Sequence, residues 1–295
     1  MKTALVTGID GFTGRYLADR LREQGYRVVG LSSKASDAAG SIHRADLLDR
    51  DRLQQVVADV RPDKVVHLAA IAFVAHGDVD AVYRTNIVGT RNLLEALAKT
   101  DATPESVLIA SSANVYGNAA VDPIDETTPL NPANDYAVSK MAMERMAWLW
   151  ADRLPVTIVR PFNYTGVGQS DRFLLPKIVG HFRRREPEME LGNLDVARDF
   201  SDVRFVVEAY ARLLEAGVEG QVFNVCSGKA TRLDEVLDLM ADLAGYRIDV
   251  RVNPAFQRVN EVKTLRGDGG RLTEAVGEIE RIPLRSTLQW MLEAR

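Results

Sequence analysis

Tyr136 and Lys140, in the run NDYAVSK, stand four residues apart. On a helix, positions i and i+4 share a face, so a phenol and an ammonium can meet in one site. A cation beside a phenol stabilises the phenolate and draws its pKa down from ~10 toward working pH. That suits a group which gives up and recovers one proton per turnover. A packed tyrosine beside a lysine whose stem covers apolar surface is the plainer alternative, and a five-residue pattern alone does not choose between them.

A scaffold must hold such a pair. Short apolar runs alternate with helical patterns along the chain: TALVTG, Phe12 to Gln24, RVVGL, IHRAD, Arg50 to Val60, KVVHLAA, Val79 to Lys99, SVLIAS, Tyr136 to Ala151, and VTIVR. This alternation predicts an α/β fold, a doubly wound parallel Rossmann sheet. After Arg160 the rhythm gives way to the loop-rich stretches PFNYTGVGQSD and ELGNLDVARDFSD, before GQVFNVCSG supplies one more strand. The expected division is a Rossmann domain over residues 1–160 plus roughly 202–226, and a smaller C-terminal substrate domain over 161–201 and 227–295.

The first strand, turn and helix read TALVTGIDGFTGRYLADRL, with Gly8, Gly11 and Gly14 at three-residue spacing and Phe12 opening the helix. Glycines there let backbone N–H groups approach a pyrophosphate seated on the positive helix end. The context, strand before and helix after, is the one that gives this pattern its meaning. At the end of the second strand, where a carboxylate would grip the ribose diol of NAD, the chain has Leu31-Ser32-Ser33-Lys34. Hydroxyls and an ammonium suit a 2′-phosphate, so NADP(H) is the expected cofactor. Asp46, ending IHRAD, is placed either to bond the adenine amine or to cap the helix that follows.

The 295 residues carry a net charge of −4, with 26% charged and 46% hydrophobic residues. This is an ordinary globular composition, with no basic field to attract nucleic acid. The basic run Arg183-Arg184-Arg185 follows FLLPKIVGHF and reads as the solvated end of a helix. The single cysteine, Cys226, makes no internal disulfide, and no metal-ligand spacing joins it to His43, His67, His76 or His181. Only Met1 and Lys2 precede the first strand, and the apolar run VVHLAAIAFVA is too short to span a bilayer. The expectation is a reduced, cytoplasmic protein with no metal and no membrane partner.

The combination TGIDGFTG, HLAA (His67 to Ala70), Asn86 in TNIVGT, SSANVYG and YAVSK resembles the extended short-chain dehydrogenase/reductases, in the branch that acts on nucleotide sugars. The resemblance implies that Ser112, four residues before the tyrosine of VYG, is catalytic together with Tyr136 and Lys140. It also implies that Phe12, Leu47, Leu68, Ala69, Ala70 and Asn86 line the cofactor, which Tyr136 and Lys140 touch as well. Related 4,6-dehydratases carry acidic residues immediately after the catalytic threonine; here Ala113 and Asn114 stand there, and neither exchanges a proton near neutral pH. Dehydration is therefore not expected.

RPFNYTGVGQ, LGNLDVARDF, VFNVCSG and RVNEV are similar to the GDP-4-keto-6-deoxy-D-mannose reductases. By that resemblance Asn163, Asn193, Arg198, Arg258 and Glu261 line a GDP-sugar site, the arginines matching diphosphate oxygens. Each arginine could instead be an ion pair, with Asp195 or Asp199 as candidate partners. Where RPSEV is usual in those relatives, this chain reads Arg258-Val259-Asn260-Glu261-Val262, without the proline. His76 is placed near the sugar or in solvent. The implied activity is NADPH-dependent reduction of the C4 keto group of a nucleotide 4-keto-6-deoxyhexose, GDP-4-keto-6-deoxy-D-mannose giving GDP-D-rhamnose. A 4-epimerase retaining NAD and a non-catalytic NADP-binding sensor are the alternatives. The resemblance also implies a homodimer through the helices at Val79–Lys99 and Tyr136–Ala151, with Met141, Met146, Trp148 and Trp150 as apolar surface or as core.

Overall fold

The computed structural model describes residues 1–34, 41–72, 77–256 and 262–294. Runs of β-branched and other apolar residues form seven strands of one sheet: β1 (Thr3–Thr7), β2 (Arg27–Ser32), β3 (Ile42–Arg44), β4 (Lys64–His67), β5 (Ser106–Ala110), β6 (Val156–Pro161) and, much later in the chain, β10 (Val222–Val225). Their order is β10-β6-β5-β4-β1-β2-β3, and every pairing is parallel. Apart from the partly exposed edge strand β3, these strands are largely buried on both faces, which is why they read as nearly continuous apolar runs. The order reverses at β1, which lies between β2 and β4, so a crevice opens at the carboxyl ends of β1 and β4.

Helices cover both faces. On one side lie α1 (Phe12–Glu23), α7 (Val203–Leu213) and α9 (Gly270–Val276), with Leu17, Leu21, Val206, Tyr210 and Leu272 in the core they share with the sheet. Leu272 and Ile279 join this layer although they follow residue 227. On the other side lie α2 (Arg50–Val60), α3 (Val79–Tyr83), α4 (Thr90–Ala98) and α5 (Asp135–Trp148), packing Leu53, Val57, Leu93, Leu97 and Met143 against the sheet. Asp49, Asp78, Asn134 and Asp202 cap α2, α3, α5 and α7 by accepting first-turn N–H bonds, at 3.0 Å for Asp49, 2.9 Å for Asp78 and Asn134 and 2.8 Å for Asp202. The cap of α2 is thus Asp49, not Asp46, which instead accepts from Leu48 N at 2.8 Å.

The single helix expected over Val79–Lys99 is broken in the middle by a π-helical segment, Arg84–Gly89. Two tertiary contacts account for it. Asn86 reaches out of the segment to the loop after β4 and to α5, and Gly89 lies so close to Leu47 that an added Cβ would stand 2.8 Å from the leucine Cβ. π turns of this kind concentrate at functional sites.

The rest of the chain forms a second body of structure. β9 (Ala197–Asp202) pairs with β7 (Asn163–Thr165) and β13 (Thr264–Leu265) in parallel and with β11 (Ala230–Arg232) antiparallel, and β8 (Glu188–Leu191) pairs with β12 (Asp249–Val252). Helices α6 (Leu174–Arg183), α8 (Leu233–Ala244) and α10 (Leu284–Glu293) enclose Ile178, Phe182, Val236, Met240 and Leu288. Among the described residues, no helix is long and apolar enough to cross a membrane.

Candidate active site

Tyr136 and Lys140 sit on the first turns of α5, and both are buried. Ser112 follows β5 and caps a short 3-10 turn, Ala113–Tyr116, accepting from Asn114 N at 3.2 Å. That bond uses a lone pair and leaves the hydroxyl proton to donate elsewhere. Burial pushes the Tyr136 phenol up to about 12, while the neighbouring Ser112 hydroxyl draws it back and Tyr164 pushes it further up. Burial lowers the Lys140 ammonium to about 8, with Glu144 opposing. The expected depression of the phenol by Lys140 is therefore not what this arrangement produces. The lysine Nζ donates to the Ala110 carbonyl at 2.8 Å, and exclusion of water costs the phenolate more than its neighbours return.

Behind this pair lies a buried ion pair that inspection of the sequence missed. Arg160 donates to both carboxylate oxygens of Glu144, at 2.9 and 2.6 Å, and from its remaining nitrogen to the Tyr116 phenol at 2.9 Å. Tyr116 in turn donates to Asn224 Oδ1 at 2.7 Å. The available signal was the repeat Tyr136, Lys140, Glu144, which continues one helical face by a further turn.

The glycine turn has the predicted form. Gly8 has φ +68°, and a Cβ there would stand 3.0 Å from the Ala69 backbone; a Cβ on Gly14 would stand 2.3 Å from the Gly8 carbonyl. Helix and strand can approach this closely only without side chains. Gly8 N donates to Leu31 O at 2.9 Å and Gly11 N to Gly8 O at 3.0 Å, so the first-turn amides of α1, beginning at Phe12, face the crevice end. Leu68, Ala69 and Ala70 are half-buried directly after β4, and Leu47 is buried against Gly89. Ser32 is buried and accepts from Lys34 N at 3.0 Å, ordering a turn that leaves Ser33 and Lys34 exposed at the strand end with exposed Asp46. Beside Ser112, Ser111 buries a hydroxyl with no partner among the described residues. Glycines, helix end, exposed cation and orphaned hydroxyl together fit a dinucleotide. Asn86, in the π segment, spends both amide protons within the protein, on Ile71 O at 3.2 Å and Ser139 Oγ at 3.0 Å.

Phe12 stacks on Tyr164, centroids 6.1 Å apart, and Tyr164 shares a 2.8 Å hydrogen bond with Thr13, tying the second body to the glycine turn. Asn163 is exposed at the start of β7, and Asn193, between β8 and β9, accepts from Asp195 N at 3.0 Å. Arg198 lies in β9 and donates to Ala197 O at 3.0 Å and Lys263 O at 3.2 Å. Of the two aspartates considered as its partners, Asp195 pairs with Lys263 at 3.0 Å, and Asp199 is buried, accepting from Ser227 N, Ser227 Oγ and Gly228 N at 2.7, 2.6 and 2.8 Å. Arg258, Glu261 and His76 lie outside the described residues.

Residues 4–226 match the model of the NAD dependent epimerase/dehydratase family. The chain belongs to that family, the extended short-chain dehydrogenase/reductases. GDP-6-deoxy-D-mannose reductase of Pseudomonas aeruginosa is 36% identical over 97% of this chain and 95% of its own. GDP-6-deoxy-D-talose 4-dehydrogenase of Aggregatibacter actinomycetemcomitans is 31% identical over 99% and 97%. Among solved structures, a protein of Burkholderia cenocepacia J2315 described provisionally as an epimerase is 53% identical with a TM-score of 0.93, covering 99% of this chain and 97% of that one. RMD from Pseudomonas aeruginosa complexed with NADPH is 33% identical with a TM-score of 0.86, over 99% and 98%. MoeE5 in complex with UDP-glucuronic acid and NAD is 30% identical with a TM-score of 0.89, over 99% and 98%.

Proposed function

We propose that this epimerase/dehydratase family enzyme reduces the C4 keto group of a GDP-linked 4-keto-6-deoxyhexose with NADPH, converting GDP-4-keto-6-deoxy-D-mannose to GDP-D-rhamnose. The observation that carries the proposal is the buried trio Ser112, Tyr136 and Lys140, with the phenol held protonated and Ala113 and Asn114 in place of the carboxyl groups that elimination needs. A phenol that keeps its proton at neutral pH is ready to act as an acid, whereas a reaction beginning with oxidation of the sugar needs the phenolate first. The reductase relatives and the NADPH held by one structural neighbour support the same direction.

The amides opening α1, packed close by Gly8, Gly11 and Gly14, would hold the pyrophosphate, Ser33 and Lys34 the 2′-phosphate, Leu47 and Asp46 the adenine, and Lys140 the nicotinamide ribose. Bound there, NADPH supplies a hydride. Ser112 donates its proton in a hydrogen bond to the sugar carbonyl oxygen, and Tyr136 delivers the proton that this oxygen acquires. Arg198, with Asn163 and Asn193, faces the sugar nucleotide, and Arg258 and Glu261 complete that side by resemblance. On this reading residues 1–160 with 202–226 serve the cofactor and the remainder serves the substrate. We further propose a homodimer through α3–α4 and α5, where Val79, Val88 and Leu149 are exposed.

Incubation with GDP-4-keto-6-deoxy-D-mannose and either NADPH or NADH, followed by NMR of the sugar, tests the proposal. Consumption of NADPH with formation of GDP-D-rhamnose is expected. Tightly retained NAD in the purified protein, with interconversion of 4-epimers and no net consumption of reduced cofactor, would instead establish the epimerase reading that the NAD-holding neighbour favours.

A further inference from the structure

His67, the first residue of HLAA, ends β4 beside β1, where the strand order reverses. It is buried, with Nδ1 2.7 Å from Thr7 Oγ1 and Nε2 2.8 Å from Thr90 Oγ1. The proton positions follow from the partners. Thr90 has one hydroxyl proton and donates it to Asn86 O at 2.7 Å, so it can only accept from His67, and Nε2 carries the ring proton. Nδ1 is then an acceptor, and Thr7 donates to it. The lone pairs of Thr7 receive Leu68 N and Ala69 N, both at 3.1 Å. A single neutral tautomer satisfies every group. Burial, and secondarily the charge of Lys140, lowers the imidazole pKa to about 3, so that tautomer persists throughout the working range.

The chain of bonds continues past Thr90. The Asn86 side chain grips Ile71 at both backbone groups, accepting from its N–H at 2.9 Å and donating to its carbonyl at 3.2 Å, and donates to Ser139 Oγ at 3.0 Å. Ser139 Oγ donates to the carbonyl of Tyr136 at 2.7 Å. One line of buried and part-buried hydrogen bonds thus runs from the segment after β4 to the turn of α5 that bears the acid.

We propose that His67 is a positioning residue: by joining Thr7 to Thr90 it fixes backbone 68–71, where the dinucleotide is read, in register with the turn of α5 that carries Tyr136. The inference rests on the proposed reductase reading for turnover, but not for cofactor binding. It separates His67 from an ordinary core residue, whose loss lowers stability without moving the two catalytic sides relative to each other.

The test compares His67→Leu, His67→Gln and Thr90→Val with Leu53→Ala, a core change beneath α2. Affinity for NADPH and NADH is measured by nicotinamide fluorescence, kcat with the keto sugar at saturation, and Tm for all. His67→Leu is expected to weaken dinucleotide binding and lower kcat by at least about tenfold each. Gln, whose amide offers N–H donors to Thr90 and an acceptor oxygen to Thr7, is expected to recover most of both, and Thr90→Val to follow Leu in direction even if Leu does not fold. Leu53→Ala should lower Tm with affinity and kcat near wild type. Equal behaviour of the Leu53 and His67 or Thr90 variants at matched Tm, or no recovery by Gln over Leu, would overturn the role. If the wild type binds dinucleotide but leaves the keto sugar unchanged, the reductase reading falls while the affinity ratios still decide the role of His67.

Discussion

Two buried polar systems support α5 from opposite sides, and they are built differently. The system at the strand-order reversal, Thr7, His67, Thr90, Asn86 and Ser139, is neutral throughout, each hydroxyl and amide saturated by a specific partner. The system behind Lys140 is ionic, with the Glu144 carboxylate against the Arg160 guanidinium and Tyr116 stacked beneath the arginine, 5.0 Å from ring centroid to charge. A neutral network derives its worth from geometry and fails by leaving single groups unsatisfied. A buried pair of charges repays its desolvation through mutual attraction and is intolerant of losing one member, since the survivor is stranded away from water. The site therefore has precise alignment on its cofactor side and electrostatic balance behind the ammonium.

The sharpest break of this contrast is Arg160→Met. Leaving Glu144 buried without its partner should cost about 3–5 kcal/mol, read from urea unfolding. Replacing both residues, Glu144→Met with Arg160→Met, should recover most of that loss, because two apolar groups leave no stranded charge. No comparable rescue is expected from removing pairs in the neutral network. Failure of the double variant to recover would show that the pair is held for more than charge balance.

Acid separates the systems next. The folded pKa of His67, about 3, lies below its ordinary value of 6.5, so between these values the unfolded chain binds a proton that the folded chain refuses. This contribution to stability is intact above pH ~6.5 and is lost progressively as pH falls toward 3, by roughly 4–5 kcal/mol over the whole interval. The gap in unfolding free energy between wild type and His67→Gln should therefore shift toward the variant from pH about 7 to about 5. A gap independent of pH would mean that the imidazole titrates in the fold as it does in the unfolded chain. Arg160, whose pKa is raised by its hydrogen bond to Glu144 against the effect of burial, keeps its charge across this interval.

Tyr136→Phe removes a hydroxyl that neither system uses, so turnover should drop by roughly 10²-fold or more while Tm and NADPH affinity remain near wild type. A large fall in Tm would place the phenol in the structure rather than in the chemistry. The smallest effect is expected at Lys34, outside both systems. Lys34→Glu should shift the NADPH to NADH preference by about tenfold toward NADH, equivalent to about 1.4 kcal/mol, with kcat on the better cofactor unchanged. An unmoved ratio would remove Lys34 from the 2′-phosphate site.

Much of this was legible before any coordinates. The alternation of strand and helix announced a parallel sheet because buried strands and amphipathic helices have different periods, and Tyr136 and Lys140 share a face because of the helical repeat alone. Ser112 and the residues proposed for the sugar nucleotide came from likeness of pattern, not from spacing. Less accessible was whatever depends on distant partners. Burial of Tyr136, which raises its pKa, brings it among phenols carried by β7 and α7, distant in sequence, and has no local mark. The π segment was read as plain helix, because the residues that engage Asn86 lie 15 and 53 positions away. The role of Ser32 as a turn former emerged only when its hydroxyl was seen to accept from Lys34 N.

The π segment also makes the site sensitive to chain length. Such a turn holds one residue more than a regular helix covers, and each residue of an α-helix advances ~100° around the axis. Excising a single residue between Arg84 and Gly89 would close the wide turn into regular winding, with α3 and α4 kept in register but the bulge that aims Asn86 lost. Asn86 would then swing off Ile71 and Ser139, with every side chain still chemically present. A deletion here thus breaks the link between the segment after β4 and α5 while leaving both helices wound as before.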